Sequence, residues 1–178
     1  MAEFETTIAT SEGSLGTFIV HPDNDTAAPV VVFLMDAPGK RDLLRDMARR
    51  IAANGYYVML ANLYYRSTPA FELDFSSKES FQQMVELMGN LGNKAVARDV
   101  GMLLDHAGAD AAADATRVGC VGYCMSGPFA IWAAAEFSDV VRAAASFYGV
   151  RLHVESPDSP HTRLGEIAGE LYVGAAEH

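Results

Sequence analysis

Apolar and polar residues alternate along the chain with different periods, and those periods place the elements. From Glu3 to Ala9 and from Leu15 to Val20 the alternation is in twos around Ser11-Glu12-Gly13, which predicts an antiparallel hairpin. Pro22 to Pro29 is a polar turn. Val30 to Met35 is apolar throughout, as in a strand buried on both faces, and Asp36-Ala37-Pro38-Gly39 ends it. Between Asp42 and Asn54 the period changes to that of a helix, with Leu43, Leu44, Met47, Ala48 and Ile51 on one face and Gly55 where a C-terminal cap belongs. Tyr56 to Ala61 reads as a second buried strand.

Asn62 to Ser76 is aromatic-rich and loop-like, with Arg66 and Pro69 in it. A helix is predicted over Lys78 to Met88, capped by Ser76 or Ser77, and another over Ala95 to Ala107 after a break at Gly89 to Asn93. Arg117 to Gly127 reads RVGCVGYCMSG, a strand running into a glycine-flanked turn. A helix to about Phe137 follows, then a strand over Ala143 to Phe147, a polar loop over Arg151 to Gly165, and a strand beginning at Glu170. Strands alternating with helices of ten or more residues predict an α/β fold with a doubly wound, mainly parallel sheet, in one domain over residues 1–178. In such a sheet ligands bind beyond the carboxyl ends of the strands, where Asp36, Arg66, Cys124 and Tyr148 all fall.

Of these four, Cys124 has the most specific surroundings. Gly122-Tyr123-Cys124-Met125-Ser126-Gly127 has the form of a nucleophile elbow, G-x-Nuc-x-[GS], with cysteine as the nucleophile and Ser126 in the last place. The small flanking residues let strand and helix approach closely and let the nucleophile adopt a strained backbone. Amides at the start of the following helix favour a thiolate. The Met125 amide is placed to stabilise an oxyanion, and the second donor, from the loop after the earlier strand, is Ala37; simple packing is the other reading of both. Cys120 reads as a core residue.

Composition narrows the function classes. The formal charge of −10 leaves no basic face for nucleic acid. No apolar run approaches the ~18–20 residues of a membrane span, and MAEFETTIAT lacks a basic-then-apolar leader, so a cytoplasmic protein is expected. Cys120 and Cys124 are badly placed for a mutual disulfide and lack zinc-site companions, so reduced thiols are expected, with no metal or other cofactor. No nucleic-acid or membrane partner is expected. A dimer is left open.

Five collinear segments carry a resemblance: Val32 to Gly39, Ala53 to Tyr56, Asn62 to Arg66, Gly122 to Gly127, and Phe147-Tyr148-Gly149. The chain resembles the dienelactone hydrolase family of α/β-hydrolases. The resemblance implies a cysteine nucleophile, Cys124, that opens a cyclic enol-lactone or a related ester, and an anionic substrate. It implies that Asp36 contacts the resting thiol, that Arg66 holds the substrate carboxylate, and that Tyr148 lines the pocket. Capping of the next helix by Asp36, a surface role for Arg66 and packing of Tyr148 are the other readings. The resemblance also implies an acid just after the Glu170 strand and a histidine further on. Glu177 falls near the acid's place without matching it, and His21, His106, His153, His161 and His178 all fit structural roles better. The triad acid and histidine are therefore expected beyond residue 178, together with the last strand or strands and helix of the fold, so weak or absent turnover is expected of this chain. An exposed sheet edge and apolar face are expected to follow.

The leading reading is an ester or lactone hydrolase of the dienelactone hydrolase type. A catalytically inactive binding protein that keeps the fold, and a cysteine amidase with a similar elbow, are the alternatives.

Overall fold

The two continuously apolar runs lie side by side at the centre of a seven-stranded sheet. The computed structural model describes residues 1–176. Strands β1 (Ala2–Thr10), β2 (Gly13–His21), β3 (Ala28–Leu34), β4 (Tyr57–Ala61), β5 (Ala113–Tyr123), β6 (Val141–Phe147) and β7 (Glu170–Gly174) follow in chain order. In space their order is β1-β2-β4-β3-β5-β6-β7. The predicted hairpin is present, with Ile8 opposite Leu15, and β2 runs antiparallel to β4. Every remaining pairing is parallel.

The helices are α1 (Asp42–Ala52), α2 (Lys78–Gly89), α3 (Asn93–Gly108) and α4 (Gly127–Glu136). The Ser77 hydroxyl caps α2 by accepting from the Ser80 amide. Gly55, past the end of α1, takes φ +95°, a conformation that glycine adopts freely. On α1 one expected core residue is wrong. Leu44 and Ala48 are buried, but Leu43 is 58% exposed, because the face toward the sheet runs through Leu44, Ala48 and Ala52. The polar loop over Arg151 to Gly165 contains a short 3₁₀ segment, Pro160–Glu166.

Helix α1 packs on β2 and β4, while α3 and α4 pack together against β5, and α4 also covers β6. The core is continuous, with Val30, Val32, Leu34, Tyr57, Met59 and Leu103 all essentially inaccessible. Beside α1 one stretch of sheet has no helix over it. Gly119, Val121, Ala143, Ala145, Phe147 and Tyr172 line an open apolar depression of about 550 Å³ there. β7 forms that edge of the sheet, with Tyr172 and Val173 largely exposed. No helix is long and apolar enough to cross a membrane among the described residues.

Candidate active site

Strand β5 ends at Tyr123, and the chain turns at once into a short 3₁₀ segment, Cys124–Ser126, that leads into α4. Cys124 sits at the apex with φ +52°, in the left-handed region that costs a non-glycine residue on the order of 1–3 kcal/mol. Its neighbours explain how the strain is held. A Cβ on Gly122 would lie 2.2 Å from the Ser126 carbonyl oxygen, and a Cβ on Gly127 would lie 2.5 Å from the Gly149 Cα. Both are backbone collisions, so the turn closes only with glycine at these two places.

The Ser126 hydroxyl fastens the turn to the sheet. Fully buried, it accepts from the Tyr123 amide at 2.9 Å and donates to the Leu34 carbonyl at 3.0 Å. Leu34 ends β3, so one side chain ties the elbow to the strand that leads into the Asp36-Ala37 loop. On the other side the Val150 amide donates to the Cys124 carbonyl at 3.2 Å. The Cys124 side chain is exposed, and among the described residues its thiol has no hydrogen-bond partner. Cys120, in contrast, is buried in the core, and burial pushes its thiol up to about 12.

Ala37 and Met125 lie on either side of Tyr64. The buried Tyr64 hydroxyl donates to the Ala37 carbonyl at 2.9 Å and sits 3.3 Å from the Met125 sulfur. Burial, followed by the electrostatic influence of nearby Asp36 and Cys124, holds this phenol above its ordinary range, so it remains a neutral donor. No turn or loop hydrogen bond uses the Ala37 or Met125 amide among the described residues. Sequence reasoning missed Tyr64, although Tyr64-Tyr65 in a segment that otherwise reads as loop was a usable signal. Buried tyrosines in a loop need hydroxyl partners.

Two expected roles do not fit the geometry. The Asp36 carboxylate, expected to contact the thiol, forms a two-pronged ion pair with Arg41, with oxygens 2.5 and 3.0 Å from the guanidinium nitrogens. The short aspartate turns to the nearest cation, five residues along, and makes no hydrogen bond to Cys124. Nor does it cap α1, whose N-cap position is Arg41. Arg66, expected to hold a substrate carboxylate, already has both Nη atoms on carboxylates, while its buried Nε has no partner among the described residues. It donates to both oxygens of buried Asp99, at 2.8 and 2.7 Å, and to Glu12 at 2.8 Å, and stacks 4.5 Å from the centre of the Tyr65 ring. The Tyr65 hydroxyl also donates to Asp99 at 2.9 Å.

Tyr148 lies beside the elbow with φ +53°, its amide donating to the Gly174 carbonyl at 2.7 Å, but its side chain is 61% exposed. The four described histidines lie elsewhere: His21 stacks on Tyr57, His106 sits in the last turn of α3, and His153 packs against His161, which meets the Ser159 hydroxyl. Glu177 and His178 lie outside the described residues.

A mainly parallel sheet with an antiparallel hairpin edge, crossed by helices and carrying a strained cysteine on a glycine-flanked turn, defines an α/β-hydrolase-type protein. Comparison with known proteins narrows this further: the model of the dienelactone hydrolase family matches residues 15–178, and the chain belongs to that family. A relative from Yersinia pestis is 30% identical over 149 residues, which are 82% of this chain and 52% of that protein. Carboxymethylenebutenolidase 1 of Cupriavidus pinatubonensis is 28% identical over 142 residues, 80% of this chain and 59% of its own length. A crystal structure from Klebsiella pneumoniae shares the fold with a TM-score of 0.80 at 22% identity, over 97% of this chain and 71% of that one. The chain thus spans about half to three fifths of the length of these two curated relatives.

Proposed function

We propose that this chain carries the nucleophile and oxyanion-binding half of a hydrolase that opens lactones or cleaves small carboxylic esters, with Cys124 as the nucleophile. The single observation that carries this reading is the backbone of Cys124. A positive φ, held by two glycines that nothing larger can replace, aims an exposed sulfur away from the end of a central strand. Strain of this kind persists where the surroundings enforce it, and the elbow enforces it here. Family membership and the name of the Cupriavidus relative support ester or lactone chemistry.

In the reaction the Cys124 thiolate adds to the ester carbonyl carbon, and the carbonyl oxygen takes up the negative charge. The Met125 and Ala37 amides receive that oxyanion, with Tyr64 fixing the Ala37 carbonyl from behind. The carbonyl–oxygen single bond then breaks, the alkoxide or enolate leaves, and a thioester remains on Cys124. Water adds to the thioester, releasing the carboxylic acid and restoring the sulfur. Among the described residues no side chain hydrogen-bonds the Cys124 thiol, and acylation is expected to outrun release by water. Incubation with 4-nitrophenyl acetate should release about one equivalent of nitrophenolate and then slow. A burst or turnover that persists in Cys124→Ala would contradict the assignment.

A further inference from the structure

One buried polar atom beneath the elbow takes no part in the reaction. Ser146, on β6, is fully buried, and among the described residues its hydroxyl has no hydrogen-bond partner. The residue pairs in register with Gly122, just before the turn. A stranded hydroxyl lowers stability, so alanine would be the more stable choice at this place.

What the oxygen touches gives it a role. A Cβ on Gly127, at the start of α4, or on Gly149, just past β6, would overlap the Ser146 oxygen. The hydrogens that glycine carries in those directions therefore point at the oxygen from two sides. Such Cα–H···O contacts are weak, but they require close approach and so fix a spacing. The two glycines also meet each other, since a Cβ on Gly127 would lie 2.5 Å from the Gly149 Cα. The strand β6, its exit and the start of α4 thus converge on one oxygen.

This knot is joined to both ends of the reactive turn. Gly127 directly follows Ser126, and the Val150 amide, next to Gly149, donates to the Cys124 carbonyl at 3.2 Å. On the other side of Gly149 the Tyr148 amide donates to the Gly174 carbonyl at 2.7 Å, which ties the exit of β6 to the end of β7. The segment from Cys124 to Gly127, with the Met125 amide inside it, is held by the two glycines that bracket the Ser146 oxygen.

We propose that Ser146 is a positioning residue: its oxygen is the spacer that sets the start of α4 against the exit of β6, and so aims the Met125 amide at the oxyanion. The effect on chemistry rests on the Cys124 reading, and the spacing does not. A cycle of alanine substitutions followed by urea unfolding tests the spacing. Gly149→Ala should unfold at lower urea, because its new Cβ overlaps the oxygen. Adding Ser146→Ala should recover most of that loss, since the nearest remaining atom is the movable end of the Leu152 side chain at 2.9 Å. The same addition should recover little in Gly127→Ala, whose Cβ still meets the Gly149 backbone. If Gly149→Ala does not fold, a folded double variant is the same result. No recovery in the Gly149 pair, or equal recovery in both pairs, would overturn the spacing.

The chemistry is read in Ser146→Ala alone, which should keep an unchanged or higher urea midpoint. Acylation of Cys124 by 4-nitrophenyl acetate should slow on the order of tenfold, a fraction of what loss of a whole oxyanion donor does. Alkylation by iodoacetamide forms no oxyanion and should keep its rate. Equal changes in the two rates, or none, would overturn the positioning role, as would a midpoint drop matching that of Gly149→Ala. No acylation in the wild type removes the Cys124 reading instead, and the unfolding cycle then decides the spacing by itself.

Discussion

Removing one hydroxyl should loosen the elbow from the sheet. In Ser126→Ala the Tyr123 amide loses its acceptor at 2.9 Å and the Leu34 carbonyl loses a donor at 3.0 Å, at a site with no solvent access. A stranded buried polar group costs about 1–3 kcal/mol. Tyr123 is only half-buried and its amide can recover part of that cost through water, which sets the expected loss at ~2–4 kcal/mol. For a domain of this size each kcal/mol moves the thermal midpoint by roughly 2–4 °C, so a drop of about 5–15 °C is expected. Circular-dichroism melts and urea titrations of both proteins measure it, the unchanged urea slope confirming that the unfolded state is the same. The rate of Cys124 alkylation should change in the same variant, because the apex is no longer tied to the end of β3. A midpoint shift under about 2 °C would refute the idea that this hydroxyl holds the turn.

Gly122→Ala should fail to form the native turn, since its Cβ meets the Ser126 carbonyl at 2.2 Å, and loss of Cys124 labelling in a still-folded protein is the readout. Asp99→Ala leaves the Arg66 guanidinium facing only Glu12 and strips the Tyr65 hydroxyl of a partner; a loss of about 3 kcal/mol in urea unfolding is expected. Iodoacetamide at mild alkaline pH should add one group per native chain, on Cys124, and two after denaturation, because burial keeps Cys120 neutral with its thiol pushed up to about 12. Against the opposing effect of its burial, the Ala112 amide and the Tyr57 hydroxyl hold the Asp110 carboxyl below its ordinary range. Its contribution to stability is therefore present above the unfolded value of about 4 and disappears as pH falls through the lower folded value, so Asp110→Asn should flatten the acid limb of a midpoint-against-pH curve.

What could be read in advance was whatever depends on local pattern. The uninterrupted Val30–Met35 run reads as a buried strand, and β3 is the central strand of the sheet, with Val30, Val32, Phe33 and Leu34 buried and Val31 partly exposed at the open depression. Gly122 and Gly127 announced a close approach of backbone, and the close approach is there. The placement of charges was less legible. Arg66 and Asp99 are 33 residues apart, and Arg66 and Glu12 are 54 apart; only the fold brings them together. Spacing in the sequence shows that a cation stands after a strand, but not that two carboxylates already hold it. The Asp36 ion pair with Arg41 was illegible for a related reason, since side-chain reach decides which neighbour a short carboxylate meets.

The central claim is that the sulfur of Cys124 is the reacting atom. Intact-mass measurement of residues 1–178 after brief exposure to an activated ester, followed by peptide mapping, tests it directly. The account predicts one acyl group per chain, carried on the peptide containing Cys124, removed by hydroxylamine and absent from Cys124→Ala. An acyl group on any other residue, or equal labelling of Cys124→Ala, would contradict it.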